Sequence, residues 1–161
     1  MVEENICEMV RRSPLAQDLG EAGCQILSDI ATIHVLNDSD ILFEEGHTDN
    51  TVHIIAEGKL AVTKTTGAGE STILHVLQGG DLAGEMAFID GTPHSATLKA
   101  IGDTAVISLE REAFERLLGD HPQVVYAVMR TIVRTVHNTL RRMNAQYVEM
   151  ANYITRSHGR Y

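Results

Sequence analysis

The spacing of apolar residues changes twice along the chain, and these changes divide it into three parts. Residues 1–31 carry apolar side chains at helical intervals, namely Leu15, Leu19, Ile26, Leu27 and Ile30. Ser13 and Pro14 precede all of them and suit the start of a helix, with the serine as cap and the proline in the first turn. The first part is therefore predicted to form N-terminal helices.

Residues 32–109 are predicted to form a β-roll. Short apolar runs in this part are separated by turn-forming pairs such as Asp49-Asn50, Gly79-Gly80 and Gly102-Asp103. Several runs alternate apolar and polar residues with a period of two, as half-buried antiparallel strands do. The spacing of the turns predicts about eight strands, closed into an antiparallel, jelly-roll-like β-roll. The fold class is thus mainly β with flanking helices.

Residues 110–161 are predicted to be helical. Glu110 to Leu118 reads as a short helix, which Gly119-Asp120-His121-Pro122 interrupts. From Pro122 to about Arg156 there is no further glycine or proline, which permits a helix roughly 50 Å long.

Apolar residues recur along this long helix at spacings of three and four. They are Val125, Met129, Ile132, Val136, Leu140, Met143, Tyr147, Met150 and Ile154. A stripe of this length exceeds what one small roll can cover, and it predicts a parallel homodimer through residues 122–156. The alternative is a helix that lies entirely on its own domain.

Composition describes an ordinary protein domain. The chain has 161 residues, of which 43% are hydrophobic and 22% charged, and this length is enough for one core without disulfides. No apolar stretch approaches the roughly 18 residues of a membrane span, and no signal peptide is visible. Cys7 and Cys24 form no CxxC pair. We therefore expect a cytoplasmic protein that does not contact a membrane.

The formal net charge of −9 is unevenly distributed. Residues 122–161 hold six arginines and one glutamate, so the rest of the chain is strongly acidic. An acidic body argues against DNA binding, because phosphate contacts need clustered lysine and arginine. Arg130, Arg134, His137 and Arg141 fall on one side of the long helix. We expect an ion-paired or solvated flank there, with an acidic protein partner as the alternative.

The residue types in GEMAFIDGTPHSA, residues 84–96, fit the binding of a cyclic phosphate and its ribose. Gly84 permits close backbone approach, and one helical turn from Glu85 to Ile89 would point amide groups at an anion. The Glu85 carboxylate can accept hydrogen bonds from sugar hydroxyls. Asp90-Gly91-Thr92-Pro93 is a turn sequence, and it should return His94 to the same anion.

Five motifs, in their order and spacing, resemble the cyclic nucleotide-binding domain. That family includes the bacterial catabolite activator, the regulatory subunit of cyclic-AMP-dependent kinase and cyclic-nucleotide-gated channels. The motifs are ILFEEG at 41–46, VHIIAEG at 52–58, GGDLAGEMAFI at 79–89, GTPHSAT at 91–97 and FERLLGDHP at 114–122. The resemblance covers about residues 14–150 and implies a single domain of this type over residues 1–161. In transcriptional members a helix-turn-helix domain follows the long helix, and none is expected within this sequence.

The resemblance also implies roles for individual residues. Gly84 and Glu85 would provide the close approach and the contact to the ribose 2′-hydroxyl. Met86 and Ala87 would present backbone amides to the phosphate, and Ser95 would contribute a hydroxyl to phosphate or base.

Two further positions decide the functional interpretation. Thr139 lies where some dimeric members place a polar group against the purine. His94 stands where ligand-binding members have an arginine that pairs with the phosphate. Arginine is permanently charged and forked, whereas neutral imidazole offers a single N–H. Histidine in place of arginine would therefore lose a charge-assisted hydrogen bond worth about 1.5–3 kcal/mol. A protonated His94 could still serve this role.

Two functions therefore stay open. The first is a regulatory binding module that senses cAMP or cGMP in the roll and signals through its C-terminal helix. The second is a degenerate, ligand-free dimerising scaffold, or a sensor of another phosphorylated ligand. Neither function is enzymatic, and no cofactor or metal is expected, because the eight histidines lack metal-site spacing and no catalytic motif is present.

Overall fold

The N-terminal part of the chain is helical, and the sheet follows it. The computed structural model describes residues 2–158, and the side chains of residues 6–156; Arg160 of the basic tail lies outside them. The chain starts with α1 (Val2–Arg12), a 3-10 helix (Pro14–Asp18) and α2 (Gly20–Ile30). Pro14 opens the 3-10 helix as predicted, but Ser13 does not cap it. The Ser13 hydroxyl instead donates to the Val10 carbonyl at 2.7 Å and closes the end of α1.

The middle of the chain folds as the predicted antiparallel β-roll. Its strands are β1 (Thr32–Leu36), β2 (Ile41–Phe43), β3 (Thr51–Thr65), β4 (Ser71–Gln78), β5 (Leu82–Ala83) and β6 (Thr97–Glu110). They pair in the order β1-β6-β3-β4, while β2 also pairs with β6 and β5 with β3. Every pair is antiparallel.

The described part of the chain has six strands rather than the predicted eight. β6 continues through Gly102-Asp103, which the sequence pattern predicts to be a turn, and β3 continues through Gly58. Both glycines have positive φ, +70° and +88°, and the register between the two strands shifts around Glu57. A Cβ on Gly58 would lie 2.5 Å from the Asp103 carbonyl oxygen. The glycines therefore form bulges that bend two long strands without ending them.

Short helices follow the roll. α3 (Glu85–Asp90) is inserted between β5 and β6, and α4 (Arg111–Glu115) and α5 (Leu117–Asp120) follow β6. The short helix predicted for Glu110 to Leu118 is thus two helices, and the second runs through Gly119. α6 (Pro122–His158) has 37 residues and is about 55 Å long. Within residues 2–158, no helix is apolar and long enough to cross a bilayer.

Two hydrophobic cores hold these elements together. One fills the roll and includes Ile55, Leu60, Val62, Leu98 and Val106. The other lies between the roll and the helices and includes Val10, Leu27, Phe88, Phe114 and Val128. Both cysteines are free and buried, as expected for inert thiols.

The apolar stripe of α6 is divided between these cores and the surface. Ile132 is buried in the core between roll and helices, and Val125 and Met129 pack against it. These three residues therefore serve their own domain and do not form part of an exposed seam. The stripe is exposed from Val136 onward. Tyr126, which is 69% exposed, is a further exposed apolar residue of α6 outside the predicted stripe.

Candidate functional site

A cavity of about 490 Å³ lies between the roll and α6. All the site residues predicted from the sequence line it: Gly84, Glu85, Met86, Ala87, His94, Ser95 and Thr139. The remaining lining residues are mostly apolar, and none of the lining residues is lysine or arginine.

The floor of the cavity follows one row of paired residues across the sheet. His75 of β4 pairs with Val62 of β3, Val62 pairs with Leu98 of β6, and Phe43 of β2 pairs with Leu98. All four residues line the cavity. The row therefore runs across four strands, with His75 at one end of the row and Phe43 at the other.

Gly84 shapes the end of the cavity where α3 begins. Its φ is +76°, and an added Cβ would lie 2.9 Å from the Thr51 carbonyl oxygen, so only glycine fits without a shift. The first amides of a helix have no partner within it. The amides of Glu85, Met86 and Ala87 are therefore available at this end of the cavity.

His94 is fixed by its neighbours. Its ring stacks on Phe43 with a centroid distance of 3.7 Å and an interplanar angle of 12°, and its side chain is 3% exposed. Its Nε2 bonds to Asp49 Oδ2 at 2.8 Å. The sequence predicts that residue 94 faces an anion. His94 does line the cavity, but one ring nitrogen already contacts a carboxylate of its own chain.

A second histidine lies behind Phe43. His53 is 6% exposed, and its Nδ1 is 2.7 Å from the Ser108 hydroxyl. Burial lowers the pKa of His53 to about 4, an effect that nearby Asp49 partly opposes. His53 is therefore neutral at pH 7 and adds no positive charge to this end of the cavity.

α6 forms the outer wall through Val136, Thr139, Leu140 and Met143. The adjacent Arg142 anchors the helix, because its guanidinium donates to both Asp81 oxygens at 3.2 and 2.7 Å. Asp81 precedes β5, and its carboxylate also accepts a hydrogen bond from the backbone N–H of Gln78 at 2.9 Å. This forked ion pair holds α6 across the cavity.

A larger cleft of about 1020 Å³ separates α6 from the N-terminal helices. Each arginine that lines it is paired with a carboxylate: Arg12 with Glu8, Arg134 with Asp18, and Arg142 with Asp81. The Arg134–Asp18 pair lies on the flank of α6 that the charge pattern predicts to be ion-paired or solvated. Every lining arginine of this cleft is therefore neutralised. The smaller cavity is the better candidate because all the predicted site residues, including the first residues of α3, line it.

The predicted site residues did not include the aromatic ring that stacks on His94, the carboxylate that bonds to it, or the histidine on β4, namely Phe43, Asp49 and His75. Phe43 belongs to the ILFEEG motif and Asp49 to a predicted turn, but neither observation places them beside His94. His75 carries no local signal, because its position depends on strand register. Among the described residues, no group of three or more histidine, cysteine or acidic side chains is arranged to hold a metal ion.

Comparison with known proteins points to one family. The family profile described as "Cyclic nucleotide-binding domain" matches residues 33–121. A cAMP-dependent protein kinase regulatory subunit of Dictyostelium discoideum is 34% identical over 97 residues, which are 58% of this chain and 30% of that protein. The cGMP-dependent protein kinase 2 of Homo sapiens is 29% identical over 119 residues, covering 73% and 16%. The chain thus spans less than a third of either relative.

Solved structures show the same fold. A cyclic nucleotide-binding domain from Methylobacillus flagellatus superposes with a TM-score of 0.78 at 23% identity, covering 92% of this chain and 83% of that one. The N-terminal domain of a transcriptional regulator from Streptomyces coelicolor gives 0.68 at 27% identity, covering 84% and 94%. The predicted β-roll with flanking helices and a long C-terminal helix is therefore confirmed.

Proposed function

Because this chain belongs to the cyclic nucleotide-binding domain family, we propose that it is a non-enzymatic, cytoplasmic regulatory module that binds cAMP or cGMP in the cavity under α6. The family match over residues 33–121 carries this proposal. The roll and α3 walls of the cavity fall inside that range, and only its α6 wall lies outside it. Named relatives include both cAMP-dependent and cGMP-dependent kinase proteins.

The phosphate would bind where α3 begins. Gly84 allows the ligand to approach the backbone, and the amides of Met86 and Ala87 would donate to phosphate oxygens. Ser95 lines the same end and would donate its hydroxyl, while Glu85 would accept from the ribose.

His94 would be the remaining phosphate contact, positioned by Asp49. The pair carries no net positive charge even when the imidazole is protonated, because Asp49 supplies a negative charge 2.8 Å away. Among the residues that the structure describes, no lysine or arginine lines the cavity to compensate. We therefore expect weaker nucleotide binding than an arginine at position 94 would give.

The output would pass through α6 to a second copy of the chain. Tyr126, Val133, Leu140 and Tyr147 are exposed apolar residues spaced by seven, and Val136, Met143 and Met150 form a second such series. Two series with this spacing are the a and d positions of a coiled coil, and they support the parallel homodimer. On the predicted flank Arg134 is paired with Asp18, so an acidic protein partner would contact the exposed Arg130 and Arg141.

Calorimetric titration with cAMP and with cGMP, together with melting temperatures, tests the proposal. Binding to the native state must raise the melting temperature. The variant His94→Arg should bind the preferred nucleotide at least about tenfold more tightly, because it adds a charge-assisted bond. His47→Arg is the matched control, since His47 is exposed and does not line the cavity. If neither the unmodified protein nor His94→Arg binds at about 1 mM nucleotide, the chain is a ligand-free scaffold and not a sensor.

A further inference from the structure

His75 has a buried polar atom that the fold leaves unused. The residue lines the cavity from β4, and its Nδ1 is buried without a hydrogen-bond partner among the described residues. Leaving such an atom unpaired costs free energy, and most buried nitrogens in folded proteins are paired. Rotation about the Cβ–Cγ bond exchanges the two edges of the imidazole ring, so either nitrogen can face a ligand.

The position of His75 matches the base end of the proposed ligand. His75 and Phe43 stand at opposite ends of the row that forms the cavity floor. Three strand spacings separate them, about 14 Å along the sheet. Phe43 stacks on His94, so a phosphate held at that end leaves the ribose and base to extend toward His75.

The surroundings of His75 favour the neutral form of the ring. Burial lowers its pKa first, and nearby Arg142 lowers it further, while Asp81 opposes both. A neutral imidazole has one donor and one acceptor nitrogen. Leu77, Leu140 and Met143 line the same cavity, and Thr139 is the polar lining residue that α6 contributes.

We propose that His75 contacts the base of the ligand, with a ring nitrogen that accepts a hydrogen bond from the exocyclic amine of adenine. This inference rests on the proposed function. Guanine presents more polar groups along the same edge, namely a carbonyl, a ring N–H and an amine. In a mostly apolar cavity those groups would be left unpaired, so the site favours cAMP over cGMP.

Binding of two nucleotides to two variants tests this. His75→Leu should weaken cAMP binding by about 2- to 12-fold, the loss of one neutral hydrogen bond. The same variant should bind the 3′,5′-cyclic phosphate of purine riboside, which lacks the amine, as tightly as the unmodified protein does. His75→Gln keeps an acceptor and should retain most of the cAMP affinity. His34→Leu is the matched control, because His34 is an exposed strand histidine outside the cavity.

The outcomes separate this inference from the proposed function. If the unmodified protein binds cAMP and His75→Leu binds it equally well, the role of His75 is wrong and the sensor survives. An equal loss for both nucleotides would indicate a general packing defect and also overturn the inference. Tighter binding of cGMP than of cAMP contradicts the adenine assignment. If no cyclic nucleotide binds at all, the proposed function fails together with this inference.

Discussion

Acidification should destabilise this fold in a way that depends on His53. His53 is buried against Phe43 and bonded to Ser108, and burial lowers its pKa to about 4. In the unfolded chain a histidine titrates near 6.5. Between these two values the unfolded chain takes up a proton and the folded chain does not. The free energy of unfolding therefore falls as the pH drops below about 6.5, and the loss is complete near pH 4.

The magnitude follows from the width of that interval. One pH unit within it costs about 1.4 kcal/mol for a single proton. Going from about pH 7.5 to about pH 5 should remove about 2 kcal/mol of stability through His53 alone. That is a large share of the 5–15 kcal/mol typical of a folded domain.

Urea unfolding at the two pH values measures the effect. His53→Gln keeps a side chain that can bond to Ser108 but cannot titrate, so the variant should lose about 2 kcal/mol less than the unmodified protein on acidification. Carboxylates and the other histidines contribute equally to both proteins and cancel in the comparison. His47→Gln, at an exposed histidine, should show the pH dependence of the unmodified protein.

An equal loss of stability in His53→Gln and in the unmodified protein would refute the reasoning. It would mean that the buried imidazole is protonated in the folded state at pH 5, despite its 6% exposure. His53 would then have to be treated as a charged group in any account of the cavity.

Two further predictions concern the backbone of the cavity and the exposed helix. In urea unfolding, Gly84→Ala should lower the free energy of unfolding more than Gly46→Ala does. Both positions have positive φ, but the added Cβ would meet the Thr51 carbonyl oxygen at 2.9 Å at Gly84 and nothing within 4 Å at Gly46. Equal costs would contradict the steric argument. In sedimentation, Tyr147→Glu should convert a dimer into a monomer. It should not lower the melting temperature of the roll, because Tyr147 is 73% exposed. The control Asn152→Glu, on the opposite face of α6, should leave the dimer intact.

The end of the cavity that is proposed to bind phosphate could be predicted because its residues are close together in sequence. Gly84, Glu85, His94 and Ser95 are brought together by one short helix and one turn, and the chemistry of each residue is readable locally. The opposite end could not be predicted. His75 is connected to Phe43 only through pairing across three strand interfaces, and a bulge shifts the register between Val62 and Thr63.

The stripe on α6 shows a second limit of sequence patterns. Spacings of three and four identify an apolar face, but they do not say what covers it. Ile132 lies against the chain's own core, whereas Leu140, eight residues later and on the same stripe, is 53% exposed. The difference arises where α6 passes the edge of the roll, which is a property of the tertiary fold.

One short stretch of α6 faces both the cavity and the proposed dimer interface. Val136, Leu140 and Met143 line the cavity and are also members of the exposed series spaced by seven. In the proposed dimer these side chains would contact the second helix, and in the ligand-bound state they would cover the nucleotide. Any shift of α6 that improves one contact changes the other, while the Arg142–Asp81 pair limits how far the helix can move. Ligand affinity and dimer affinity should therefore be coupled, and by linkage the coupling must be equal in both directions.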